Sequence, residues 1–575
     1  MMFIPPDSVV FDFIFATFLT LSLPFVGIAM LYAFAGRFNF DRLEIFTYGA
    51  GIGILFYAVI GSIVGNIPSH QQAVAIALII GINTIAAVYW SKVKLFAQLK
   101  TDTTLSVTTA WSAWLLLILI CITISHATIK FPDDLFDGPY VFKNHNLHVK
   151  VQTITGHLPA DNYLPYLVEE YFLRGISFQD EHPILPGQEV TNRPILMALV
   201  AIPFRAALDP PPRQNSPLPK FQYVGALWPD VGTLGEDRYF RQFLVVGIVL
   251  NAMFILGAAL LFKSFGLTRE FTVAGLLLLV INPYFISQVI FTWPKALAAF
   301  YILLAIHTLS VRGWPAMAGL FAALAYLSHP YAVVFAGSFA VYLGYQVKNN
   351  TLSYRQLIHY GGAFSVVVAP WFIWTKFILK LPSDLIAQNL FNGGSLVNTA
   401  WVRIPNLYLL VSPRFLEIFP FNGDQILQAS LVCIPGAIGI LFFAQAYAGC
   451  QQYFAEHKFL ILYGILVPGL LLVMIFSTPS VPALHGFQAI FPILILLSMK
   501  WMQNRTSSRA LLFLVIIQLT VNIALLGARA DTLGIFNTRQ VAAIGAVADP
   551  QEVMVSKNDG LVLLSAWLTC ATVKA

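Results

Sequence analysis

Apolar residues fall in long blocks along this chain, divided by short polar turns. A hydrocarbon core of about 30 Å needs about 20 apolar residues per helix. Blocks of that kind run over 9–35, 45–66, 71–90, 108–126, 242–262, 272–290, 295–311, 314–329, 330–346, 358–380, 427–448, 459–477, 484–500 and 509–528. They predict fourteen spans, with 314–329 and 330–346 forming a tight helical hairpin at Ser328-His329-Pro330. The N-terminal block does not read as a cleavable signal. The first seven residues hold Asp7 and no Lys or Arg, and the apolar run continues to about Gly36.

Charge orients the map. With the N-terminus outside, the inner turns hold fourteen cations: Arg37, Arg42, Lys92, Lys94, Lys100, Lys263, Arg269, Arg312, Lys348, Arg355, Lys458, Lys500, Arg505 and Arg509. The short outer turns hold one, Lys295. That asymmetry follows the positive-inside rule. It also decides the run Pro194–Leu208, because a crossing there would invert every later turn. This run is expected along the outer interface, as an amphipathic or re-entrant helix. Three outer pieces remain: 126–241, 381–426 and the tail 529–575. The tail reads as a small α/β unit, with helix over 540–548, strand over 552–556 and helix over 561–569.

Composition agrees. Of 575 residues, 58% are hydrophobic and 10% charged, against about 25% charged in soluble chains. This excludes a large soluble enzyme and a disordered chain. The net charge of +6 follows topology and does not indicate nucleic acid. Cys121, Cys433, Cys450 and Cys570 show no spacing for zinc or a redox pair.

Buried ionisable groups mark function in membrane interiors. Asp12 and His307 are the clearest here, with Lys376 near the outer end of its span. The polar chemistry is concentrated outside. The first outer loop opens with Phe131-Pro132-Asp133-Asp134-Leu135-Phe136-Asp137. Residues 127–193 carry nine acidic and five basic side chains, a net −4. Adjacent carboxylates raise one another's pKa, which suits a base for an acceptor hydroxyl. The same pair suits a divalent cation shared with phosphate oxygens, or a solvated acidic turn capped by Asp133. The spacing of His145 and His148 lacks further metal ligands. His329 and His485 sit at outer helix ends, where a cation meets a phosphate or an interfacial histidine bonds backbone. Arg193 and Lys295 stand on the same rim, beside Trp293.

The order of these features resembles the C-superfamily of integral-membrane glycosyltransferases, the GT-C fold. The span 108–126 precedes the acidic pair Asp133-Asp134. Asn192-Arg193-Pro194-Ile195-Leu196 then opens 195–208, and Arg241 starts 242–262. Arg269, Asn282-Pro283 and Thr292-Trp293-Pro294-Lys295 follow in order, then Trp314 to Pro330. Leu484-His485-Gly486-Phe487-Gln488 resembles a late basic-aromatic helix start, with His485 where Arg is common. The likeness covers 108–380 well and 381–528 loosely.

The resemblance implies an all-α polytopic fold with about fourteen transmembrane helices. Residues 1–107 would be a three-helix addition and 108–380 the GT-C-like core, with outer loop 127–241. Residues 381–528 would hold the second outer loop and C-terminal helices, and 529–575 the outer tail. It implies a sugar transferase in a bacterial plasma membrane, with a polyprenyl-phosphate donor and a glycan, lipid or protein acceptor. Asp134 would be the base, with Asp133 orienting it or sharing a divalent cation. His329, Lys295 and Arg193 would hold the donor phosphate, with His485 near the donor. A flippase or exporter of lipid-linked glycans, and a non-catalytic scaffold on the same fold, are the alternatives.

Overall fold

The computed structural model describes residues 8–35, 40–67, 69–93, 107–126, 128–130, 151–153, 164–178, 194–210, 238–380, 441–475, 486–507, 553–555 and 572–574, with parts of 509–520. Four long helices come first: α1 (Val9–Ala35), α2 (Arg42–Asn66), α3 (Gln71–Val93) and α4 (Val107–Ser125). Two short helices follow, α5 (Leu164–Arg174) and α6 (Leu196–Leu208). The bundle continues with α7 (Arg238–Ala252), α8 (Phe254–Ser264), α9 (Arg269–Val280), α10 (Pro283–Ile290) and α11 (Lys295–His307). Then come α12 (Pro315–Ser328), α13 (Ala332–Lys348) and α14 (Tyr354–Phe372). After these come 441–453, α15 (Lys458–Ile461), α16 (Val467–Ile475) and α17 (Phe487–Gln503), followed by helical residues at 509–513 and 515–517.

Seven of these segments are long and apolar enough to cross a membrane, or eight if the bent pair Arg269–Val280 and Tyr284–Ile290 is one span. The chain is a helical membrane protein. The remaining apolar helices, including α6, α12 and α17, are shorter. The fourteen blocks of the sequence are thus not fourteen uniform rods. Phe240–Ser264 is buried throughout, whereas α3 and α14 expose Ile80, Ile85, Ile358 and Val366. Such an apolar exposed face suits lipid tails.

Local chemistry sets the breaks. Asp41 caps α2 in a capping box, accepting from Leu43 N (2.8 Å) and Glu44 N (2.9 Å), while Glu44 Oε2 accepts from Asp41 N. The bend of 59° between α9 and α10 falls at Asn282-Pro283, where proline cannot extend the preceding helix and Asn282 caps Tyr284 N. A π-helical turn over Thr308–Arg312 ends α11 at Gly313, whose φ of +63° is left-handed. The expected hairpin is present as α12 and α13, but α12 packs closest on α14. A Cβ on Gly319 would lie 2.2 Å from Tyr360 O. Small residues allow the same intimacy between α1 and α2, through Gly27, Gly49 and Gly53.

Of the two forms expected for α6, amphipathic or re-entrant, its burial excludes the half-exposed amphipathic one. The helix is buried nearly all round, against α2, α5 and α7, and not half-exposed as an amphipathic surface helix would be. Helices α1 and α2, expected as an addition, pack directly on α6, α7 and α8 within one continuous core. Among the described residues two small strand pairs occur. Thr128–Lys130 pairs antiparallel with Val151–Thr153, and Val553–Val555 pairs parallel with Thr572–Lys574. The tail helices expected over 540–548 and 561–569 lie outside the described residues.

Polar contacts sort the helix ends into two groups. At one end Asp41 meets Lys263 (3.4 Å), Glu44 meets Arg312, Lys500 reaches Phe265 O, and Arg505 bonds Gln452 (2.9 Å). These four cations belong to the fourteen assigned to the inner face. The opposite end carries His126, Arg241, α5, α6, Trp293 and His329.

Candidate functional site at the His126 end of the bundle

The turn Thr292-Trp293-Pro294-Lys295 lies between α10 and α11. Its Lys295 N–H closes on Trp293 O at 2.7 Å. Asn251, fully buried on α7, anchors it from below, donating to Phe291 O (3.3 Å) and accepting from Leu297 N (3.2 Å). Thr292 lies against Gly247, where a Cβ would sit 3.0 Å from Thr292 Cγ2. Tyr331 completes the support, donating its hydroxyl to Lys295 O at 2.8 Å.

Lys295 and His329 meet on Trp293. The Lys295 ammonium lies 4.8 Å from the Trp293 ring centre and 5.3 Å from that of Phe291. The His329 ring is 5.7 Å from Trp293 and 5.1 Å from Tyr331, centre to centre. Both side chains are buried, so the ammonium is held by aromatic faces in a poorly hydrated place. Tyr331 N–H donates to His329 Nδ1 at 3.3 Å. An accepting Nδ1 leaves the ring proton on Nε2. In this arrangement Nε2 is the donor atom of His329.

Trp293 borders a narrow cleft. Leu164, Pro165 and Val168 of α5 line it, with Pro194, Ile195, Met197 and Ala198 at the start of α6, and Trp293, Pro294 and Ser328. Its walls are mostly apolar, and the chain neighbours of Arg193, Lys295 and His329 all lie on it.

Sequence reasoning missed a charged cluster directly behind this cleft. Glu169, Glu170, Arg174 and Arg205 are all 1% exposed or less. Glu170 accepts from Arg174 Nε (2.8 Å) and from Arg205 Nη2. Arg205 Nε lies 3.5 Å from Glu169 Oε1, and its Nη1 donates to Gln242 of α7 at 3.4 Å. Two signals were available: the i, i+4 spacing of Glu170 and Arg174, and an arginine inside an apolar run.

A second polar row ties the entrance of the first large loop. Arg241 Nη1 donates to His126 Nδ1 (3.2 Å), so His126 Nε2–H faces Asp12 Oδ2 (2.5 Å). Asp12, singled out as an intramembrane carboxylate, lies in the first turn of α1 and joins the ends of α4 and α7. His307 lies at the other end of the bundle. It bonds Tyr48 Oη (2.6 Å) and Ser264 Oγ (2.9 Å), 3.6 Å from Glu44.

Of the six residues proposed from sequence, Lys295 and His329 come together. Asp133, Asp134, Arg193 and His485 lie outside the described residues. Gly486, next to His485, takes φ +111° and donates to Gln488 Oε1 at 2.7 Å, where α17 begins. Among the described residues no group of three or more His, Cys, Asp or Glu is placed to hold a metal ion. No protein-family model, curated protein or solved structure matches this chain.

Proposed function

We propose that this chain is a membrane glycosyltransferase of GT-C type, crossing the membrane fourteen times. It moves a sugar from a polyprenyl-phosphate donor to an acceptor at the outer face. The observation that carries this reading is the pairing of Lys295 with His329 on Trp293, beside an apolar-walled cleft. A lipid phosphate is an anion joined to a hydrocarbon chain, and such a place offers partners for both. The ammonium supplies charge, and the Nε2–H of His329 supplies a directed donor. Arg193, one residue before Pro194 of the cleft wall, would add a bidentate partner. His485 would lie near the donor at the start of α17.

In the transfer, Asp134 takes the proton of the acceptor hydroxyl, with Asp133 orienting it. The acceptor oxygen forms its bond to the anomeric carbon as the bond from that carbon to the phosphate oxygen breaks. Lys295, His329 and Arg193 stabilise the charge that the departing phosphate gains. The His126 end of the bundle is then the outer face, and the Lys263 end the inner one, in keeping with the cation asymmetry.

The test compares Asp134→Asn with Asp137→Asn in turnover of a lipid-linked sugar. A positioned base is worth about 10²–10⁴-fold in rate. Asp134→Asn should lose that factor and Asp137→Asn should keep most of the activity. Near-wild-type turnover in both variants would remove the carboxylate from the chemistry.

A further inference from the structure

We infer that Glu170 and Arg205 are positioning residues, the centre of an ionic pin that holds α5 and α6 as one wall of the donor cleft. The inference rests on the transferase reading for the word donor, but the pin itself is a feature of the fold.

Neither helix of the wall is long. Helix α5 has eleven residues, too few to be stable alone. Helix α6 has thirteen, and Pro203 inside it removes one backbone bond. Apolar packing seats both on α2, where Gly61 and Gly65 let the backbone come close: a Cβ on Gly61 would meet Leu199 O at 1.7 Å, and one on Gly65 would meet Phe172 at 3.0 Å. Phe172 and Phe178 also pack on Trp374, with ring centres 5.8 and 5.1 Å apart. These contacts set how closely the helices approach, and the ion cluster adds directional, charge-assisted bonds to them.

The ion cluster supplies direction. Glu170 receives two guanidinium groups, one from its own helix and one from α6. The Arg205 fork reaches three side chains on two other helices, Glu169 and Glu170 on α5 and Gln242 on α7. The contacts of one guanidinium with Glu169, Glu170 and Gln242 together favour one rotation of α5 against α6. That rotation carries Val168, adjacent to Glu169, and Met197 and Ala198 onto the cleft. A buried pair of this kind adds little net stability, because desolvation offsets attraction, yet it specifies one arrangement.

The test separates stability from placement. Met replaces each charged member in the quadruple variant Glu169→Met, Glu170→Met, Arg174→Met and Arg205→Met, keeping volume near constant. Spin labels at Ser69→Cys and Ser177→Cys, both exposed in the native chain, report the α5 position with no substrate present. The quadruple variant should keep or raise the wild-type thermal midpoint while its label distance broadens. Its KM for the lipid donor should rise about tenfold, with kcat and the acceptor KM little changed. A folded quadruple variant with the wild-type distance and donor KM would overturn the pin. Should that variant fail to fold, Arg205→Lys keeps the charge without the fork. It should broaden the distance and raise the donor KM by a smaller factor, and a wild-type result in both overturns the inference. Broadening in a protein whose wild type neither binds nor turns over a lipid-linked sugar would support the pin and sink the transferase reading.

Discussion

Replacing Gly61 by alanine should damage this protein far more than the same change at Gly81. Both glycines lie inside long helices, α2 and α3. An alanine Cβ at position 61 would lie 1.7 Å from Leu199 O and 3.2 Å from Pro203 Cδ. Ordinary contact begins near 3.4 Å, so α6 would have to retreat by 3.4 − 1.7, about 1.7 Å. The colliding atom is a backbone carbonyl that cannot rotate away. Its usual helical donor is missing, because residue 203 is proline. Overpacking of this kind costs about 1–3 kcal/mol or more, against about 1 kcal/mol of helix propensity gained. At Gly81 nothing lies within 4 Å of the new methyl, so only the propensity gain remains. Apparent thermal midpoints in lipid nanodiscs should therefore fall for Gly61→Ala and hold or rise for Gly81→Ala. The retreat would also draw Met197 and Ala198 from the cleft and weaken donor binding. Equal midpoints in the two variants would refute the packing of α6 on α2.

Two further changes probe the opposite end of the bundle. Glu44→Gln leaves Arg312 without its carboxylate, and loss of a charged hydrogen bond costs about 1.5–3 kcal/mol. Arg312 is 25% exposed, so water should hold the loss toward the lower figure. A double-mutant cycle with Arg312→Gln should show clear coupling in the thermal midpoint, and additivity would deny the pair. Burial, reinforced by the nearby Lys500 ammonium, pushes the His457 imidazole below its ordinary value, with Glu456 opposing. The unfolded chain then takes up the proton first as pH falls. The contribution of His457 is present above the ordinary histidine range, about 6.5, and is lost as pH drops below it. His457→Gln should flatten the acid side of the midpoint-versus-pH curve, and an unchanged slope would contradict this.

The blocks of apolar residues located α1, α2, α3 and α4 to within a few positions, because a long uninterrupted block has only one way to be satisfied in lipid. They did not reveal how blocks break. The run 242–262 is two helices meeting at Met253, and 272–290 bends at Asn282-Pro283. The turn near Lys295 was legible from its Trp-Pro pair and lone outer cation. The contact of His329 Nδ1 with a backbone N–H two residues on was not. Asp12 stood out as a carboxylate in an apolar run, yet its partner His126 is 114 residues away. Arg205 and Glu170 are separated by 35 residues, so neither pattern nor spacing joins them. Such partners become visible only when the helices are packed.

Under the proposed function, the cleft beside Trp293 takes a phosphate joined to an isoprenoid chain. The most direct test is binding of a short polyprenyl phosphate and of the matching polyprenol to the full chain in nanodiscs, for wild type, Lys295→Ala and His329→Ala. The wild type should prefer the phosphate, and each variant should lose about 1.5–3 kcal/mol of that preference, the value of a charged hydrogen bond. Equal affinity of the wild type for polyprenol and polyprenyl phosphate, or full preference retained in both variants, would contradict the account.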